Sequence, residues 1–191
     1  MTKQTTPAAE TKVITGKVRL SYANLFKAKA VNDGGEAKYS VSLIIPKSDR
    51  KTVAAIKKAI EAAMQNGSAS KWGGKIPKNL KLPLRDGDEE REDDPNYANA
   101  YFINATSKTA PGLVDKHRQP IMSEEDLYSG AYAFVSVNFY PYDTNGSKGI
   151  ACGLNNVMKV ADGDFLGGRV SADEDFKDIE VEDDEDDDAL N

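Results

Sequence analysis

The segment 131–160, AYAFVSVNFYPYDTNGSKGIACGLNNVMKV, constrains the fold more than any other part of the chain. In its first half Val135, Val137 and Phe139 alternate with Phe134, Ser136, Asn138 and Tyr140, the period of a strand with one buried face. DTNGS carries Asn145-Gly146, the pair that accepts positive φ at both central positions of a tight hairpin. KGIACGLNNVMKV then returns, with Ile150, Cys152 and Leu154 on one face.

The rest of the chain repeats the strand theme around one helix. In VITGKVRLSYANLF, Val18 and Leu20 alternate with Lys17 and Arg19. NDGGEA is a turn, and KYSVSLIIP is a second strand with Tyr39, Val41, Leu43 and Ile45 on one face. These two strands read as a hairpin. SDRKTVAAIKKAIEAAMQNG has apolar residues at helical spacing (Val53, Ile56, Ile60, Ala63/Met64). Ser48 is the expected N-cap, Asp49 lies in the first turn and Gly67 is the expected stop, giving one principal helix over about 48–66. The run KWGGKIPKNLKLPLRDGDEEREDDPN is too rich in Gly and Pro for a helix and reads as a long insertion, basic and then acidic. ANAYFINATSK regains strand character, APGLVDKHRQPI is a loop or hairpin, and SEEDLYSG a short capped turn. Strands, one helix, then strands joined locally predict a mainly β fold: an OB-fold-like antiparallel barrel, with a generic sandwich as the competing arrangement. The expected organisation is a disordered arm over 1–11, one domain over 12–170 and a disordered acidic tail over 171–191.

Charge is segregated. The chain has 25 Lys+Arg against 31 Asp+Glu, a net charge of −6. Twelve of the acids lie in residues 171–191, so residues 1–170 hold 24 basic and 19 acidic residues, a balance of +5. Seven more acids lie in DGDEEREDD (86–94), and without that run the balance is +11. A basic body with an acidic arm suggests a polyanion ligand that the arm opposes. No apolar run approaches membrane-spanning length, and the start lacks the apolar core of an export signal. A single cysteine, Cys152, excludes an internal disulfide and points to a reducing compartment.

Most catalytic chemistry lacks its residues. One histidine, His117, cannot build a histidine-rich metal site, and no Cys-x-x-Cys, His-x-x-x-His or phosphate-loop pattern is complete. No cofactor or metal is expected. The remaining enzymatic reading is a metal-dependent nuclease using Asp86, Asp88, Glu89 and Glu90, against the simpler reading of a solvated acidic loop.

What the sequence does offer is cations interleaved with rings. KWGGKIPKNLKLPLR sets Lys71, Lys75, Lys78, Lys81 and Arg85 around the only tryptophan, Trp72. Cations displace counterions from phosphates, and a ring stacks on an unpaired base. The competing role for Trp72 is to plug an edge of the core. Tyr132, Tyr140 and Tyr142 are further candidate platforms. Phe134 is expected instead to fill the barrel wall or the interface of a homodimer. Lys17, Arg19, Lys108, Arg118 and Lys148 extend the candidate footprint.

The strings GKVRLSYANLF, KYSVSLIIPK, KWGGKIPKNLKLPLRDGDEE, YFINATSK, PGLVD, YSGAYAFVSVNFYPYDTNGSKGIACGLNNV and DGDFLGGR resemble a family of bacteriophage and prophage single-stranded DNA-binding proteins with an OB-fold. The resemblance covers most of residues 12–176. It implies a non-catalytic protein of phage DNA replication or recombination, in the cytoplasm of a bacterial host, that coats single-stranded DNA. The tail is similar to acidic tails that recruit replication partners. Its candidate docking residues are Phe176, Asp183, Asp184, Glu185, Asp186, Asp187, Asp188 and Leu190, and it lacks a terminal Phe. A coil of its 21 residues spans roughly 25 Å, enough to reach a groove on its own domain and compete there with phosphate. The alternative class is a replication or recombination adaptor, or an acidic DNA mimic, whose body does not grip DNA.

Overall fold

A computed structural model describes residues 10–30, 32–167 and 176–180. The strands are β1 (Lys12–Ile14), β2 (Val18–Lys29), β3 (Lys38–Pro46), β4 (Arg85–Asp86), β5 (Ala100–Ser107), β6 (Gly112–Val114), β7 (Tyr132–Thr144) and β8 (Ser147–Ala161). The helices are α1 (Arg50–Ser70) and the single turn α2 (Gly87–Glu90), followed by a 3-10 turn at Pro95–Tyr97.

Five strands close a ring. β7 pairs β2, β2 pairs β3, β3 pairs β5, β5 pairs β8 and β8 returns to β7. All these pairings are antiparallel except β5–β8. The protein is thus mainly β, an OB-fold-like barrel with one principal helix. Closure removes sheet edges, and the alternation of each strand sends one set of side chains inward. Val18, Leu20, Val41, Leu43, Ile45, Ile103, Ala105, Val135, Val137, Phe139, Ile150, Cys152 and Leu154 fill the interior. Both expected hairpins, β2–β3 and β7–β8, form.

Helix α1 seals one end of the barrel by burying Val53, Ile56, Ala59, Ile60 and Ala63. Its boundaries differ from expectation at both ends. Asp49, not Ser48, is the N-cap: its carboxylate accepts the Thr52 N–H at 3.1 Å. The helix passes through Gly67 to Ser70, because Gly67 supplies close approach, not a stop. A Cβ at Gly67 would stand 2.7 Å from Pro141 and from the Trp72 ring.

A smaller cluster lies outside the barrel. Ile44 and Phe102 point outward and are covered by Tyr97, Ala100 and Leu166, with the Tyr97 and Phe102 rings edge-on at 5.2 Å. Thr11, placed by the sequence in the N-terminal arm, is tied to β7, its carbonyl accepting the Phe139 N–H at 3.0 Å. No helix among the described residues is long and apolar enough to cross a membrane.

Candidate nucleic-acid interface

The outward pleats of the barrel carry small polar side chains in register. Asn24 lies opposite Ser40, Ser40 opposite Thr106, Thr106 beside Gly153, and Gly153 opposite Asn138. One pleat along, Ser42 faces Asn104 and Ala151 faces Tyr140. Cross-strand neighbours stand about 5 Å apart, so these residues form a continuous low floor across five strands, with Ser42 itself buried beneath the Tyr97 hydroxyl.

Two depressions meet on that floor at Thr106. One, of about 260 Å³, is lined by Ser40, Thr106, Lys29, Lys38 and Glu36. The other, of about 250 Å³, is lined by Asn104, Thr106, Ala151, Lys81, Arg85 and Tyr142. Cations therefore stand at both ends of a floor that carries none. Lys29, Lys38 and Lys81 have no carboxylate partner among the described residues. The others are tethered loosely: Lys108 to Glu36 at 3.4 Å and Lys148 to Asp143 at 3.7 Å. Exposed pairs like these are weak, so a phosphate can displace the carboxylate. Arg85 is held more firmly, by two nitrogens on the Glu90 carboxylate, which raises its already high pKa.

The basic insertion forms the wall beside Tyr142 because its backbone is stitched to β8. The Lys81 N–H donates to the Lys148 carbonyl at 3.1 Å, and the Lys81 carbonyl accepts the Ile150 N–H at 2.9 Å. Gly149 permits this approach, since a Cβ there would lie 2.5 Å from the Lys81 carbonyl oxygen. The backbone is thus spent on β8, and the Lys81 side chain is left exposed.

The sequence-predicted residues divide into three groups. Lys81, Arg85, Tyr140, Tyr142, Lys148 and Lys108 come together around the floor or its ends. Lys17, Arg19 and Tyr132 form a different cluster, with both cations over the Tyr132 ring at 5.0 and 5.6 Å. Arg19 is moreover committed to structure, donating to the Gly130 carbonyl, the Asp164 carbonyl and Asn96. Lys71, Lys75 and Lys78 are exposed along the segment leading to Lys81, and Arg118 sits in the separate turn after β6.

Trp72 requires a correction. Its ring is 7 % exposed within the main core, and its Nε1–H donates to the Tyr142 carbonyl at 3.3 Å. As placed it offers no face to a base. Phe134 is 40 % exposed on the outer face opposite Met158, so of its two expected places it does not take the one packed in the wall. Of the tail residues, Phe176 is exposed, while Asp183, Asp184, Glu185, Asp186, Asp187, Asp188 and Leu190 lie outside the described residues.

Three of the four carboxylates read as a possible nuclease site, Asp86, Asp88 and Glu90, have structural partners. Lys47 donates to both Asp86 and Asp88, at 2.8 and 2.7 Å, and Asp88 also accepts the Asn99 N–H. The bond to Lys47 is the main reason the Asp88 carboxyl sits below its usual range. Asp86 caps α2 through the Asp88 N–H. No group of three metal-ligating side chains occurs among the described residues.

Residues 11–190 match the family of the Enterobacter phage Enc34 ssDNA-binding protein. A relative, putative protein p50 of Acyrthosiphon pisum secondary endosymbiont phage 1, is 32 % identical over 91 % of this chain and 97 % of its own. Among solved structures, the single-stranded DNA-binding protein from bacteriophage Enc34 in complex with ssDNA superposes with a TM-score of 0.73. That likeness has 27 % identity and covers 82 % of this chain and 90 % of that one. The fold is shared with gp2.5, a single-stranded DNA-binding protein encoded by bacteriophage T7, at a TM-score of 0.57, 19 % identity and 90 % and 96 % coverage. With nearly its whole length matched, the chain belongs to the Enc34 family of phage single-stranded DNA-binding proteins.

Proposed function

We propose that this protein coats single-stranded DNA during phage replication or recombination, holding the strand on the floor around Thr106 with little sequence preference. The observation that carries the reading is the floor itself: small, mostly polar residues in register across five strands, with cations at both ends and tyrosines at one. A duplex hides its bases from such a surface. A single strand can lay bases against Tyr140 and Tyr142, and stacking accepts any base because every base has a π-face. The small side chains let the strand approach closely, while Asn24, Asn104 and Asn138 offer hydrogen bonds to whatever edge arrives.

The test is a fluorescence-anisotropy titration with labelled dT oligomers, repeated over a salt series. Five cations converge on the groove (Lys29, Lys38, Lys81, Arg85 and Lys148), so log affinity should fall against log salt with a slope of about −3.5, at about 0.7 per phosphate. Equal or tighter binding of duplex DNA of the same length would overturn the reading. The acidic tail is part of the same proposal: its carboxylates compete with phosphate for these cations until DNA displaces them, freeing the tail for replication partners. Deleting residues 171–191 should then raise DNA affinity and abolish partner recruitment. Unchanged affinity and salt slope would leave the tail a docking or solubilising arm.

A further inference from the structure

The bulge in β2 displays an aromatic ring under backbone strain. Two residues, Tyr22 and Ala23, stand between the register pairs Ser21–Ser42 and Asn24–Ser40, where β3 has only Val41. Tyr22 takes φ +46°, a left-handed conformation unfavourable for any residue with a Cβ and rarely held by a bulky one. Two of the other three non-glycine residues with positive φ are asparagines, Asn99 and Asn145, and Arg118 lies in a turn. Burial does not compensate at Tyr22, whose residue is 61 % exposed. Residues held in such conformations cluster at functional sites, so strain kept at an exposed ring points to a function for it.

Arg91 lies over this ring, 5.8 Å from its centroid. The same guanidinium is 5.6 Å from the Tyr97 ring and 5.4 Å from Phe102, and Arg85 covers Phe102 at 5.1 Å. Arg91 stands in the most acidic run of the body, between Glu90 and Glu92, yet forms no ion pair among the described residues. It sits among three rings, and no hydrogen bond from its side chain occurs among the described residues, so its N–H donors are left for another acceptor. A planar fork with free donors suits the oxygens of a phosphate.

We propose that Tyr22 and Arg91 form an additional one-nucleotide subsite: a base stacks on Tyr22, and its phosphate takes the Arg91 donors. The subsite is continuous with the floor. Asn24 fixes the bulge by donating to the Tyr22 carbonyl and to Ser40 Oγ, both at 3.3 Å, and Ser40 lines the depression that reaches Thr106. On its other side the ladder from Arg91 through Phe102 to Arg85 leads into the depression beside Tyr142. This inference rests on the single-strand reading above.

Tyr22→Asn tests it without endangering the fold, because asparagine tolerates positive φ. The variant should melt at or above the native temperature and bind a dT oligomer on the order of 10- to 100-fold more weakly. Tyr22→Phe, which keeps the ring, should bind as the native protein does. Arg91→Gln should flatten the salt slope by about 0.7, the value of one phosphate contact. Native affinity in Tyr22→Asn, or an equal loss in Tyr22→Phe, would overturn the subsite while leaving the parent reading intact. Failure of the native protein to bind single-stranded DNA would overturn both.

Discussion

Replacing Trp72 with alanine should make this protein much easier to unfold while leaving its hold on DNA nearly unchanged. The ring is 7 % exposed and lies against Gly67, where even a methyl group would come within 2.7 Å of it. Burying a tryptophan removes about 150–250 Å² from water, worth at most about 4–6 kcal/mol at 25 cal/mol per Å². Large-to-small truncations of buried Phe and Trp cost about 3–5 kcal/mol, since neighbours only partly collapse into the gap. The 3.3 Å bond to the Tyr142 carbonyl is long and adds little. About 4 kcal/mol is therefore the expected loss, against a total stability of about 5–15 kcal/mol for a domain. With a urea dependence of about 2 kcal/mol per molar, the midpoint should fall by about 2 M. Circular dichroism must follow the transition, because the variant has no tryptophan left to report it. Affinity for a dT oligomer, measured where the variant is still folded, should change by less than the tenfold loss of one stacked base. A midpoint within about 0.3 M of native, together with a tenfold loss of affinity, would refute the core assignment and restore the ring to the ligand.

Three further outcomes follow from particular contacts. Gly149→Ala drives a Cβ to 2.5 Å from the Lys81 carbonyl and 2.7 Å from the Tyr142 hydroxyl, so the insertion must lift from β8. Overpacking of this kind costs about 1–3 kcal/mol, and the Lys81 and Ile150 amides should exchange faster with deuterium. Asp88 has its pKa lowered from 3.8, first by the bond from Lys47 and then by the Asn99 N–H. A depressed carboxyl contributes stability that is complete above its unfolded value and lost as pH falls through the folded one. Acid titrations should therefore show Asp88→Asn less destabilised than native on going below about pH 4, and an identical acid limb would refute the contribution. Burial pushes the Cys152 thiol up to about 12, so native protein should resist a thiol reagent at pH 8 and react only at the rate of opening.

The barrel was legible because its interior obeys the period of two. Val135, Val137 and Phe139 face inward, as do Ile150, Cys152 and Leu154, and the Asn-Gly turn joins them where expected. What periodicity could not reveal was closure. The parallel β5–β8 contact joins strands far apart in sequence, and no local signal announces it. The insertion is hard to read from sequence for a related reason. A stretch without a period gives no way to sort its residues into buried and exposed, so one ring among five cations fits a ligand platform and a core plug alike. Its neighbours decided the matter: Gly73 and Gly74, both at positive φ, turn the chain just after Trp72, whose ring packs into the core beside Gly67.

Tyr22, by contrast, left a trace in the sequence that strand alternation could have exposed. Val18 and Leu20 share one parity, and Leu25 has the other, yet all three are buried in the same core. A regular strand cannot place both parities on one face. An extra residue must be inserted between Leu20 and Leu25, and such a bulge re-aims the side chain it displaces. Continuing the first parity buries Tyr22 beside Leu20. Reading the parity break instead ejects Tyr22 to the surface, where the structure finds it beneath Arg91. A ring at a break in alternation is therefore as open to a ligand as one on a regular outward pleat such as Tyr140, whereas a ring on the regular inner face, such as Phe139, is already committed to the core.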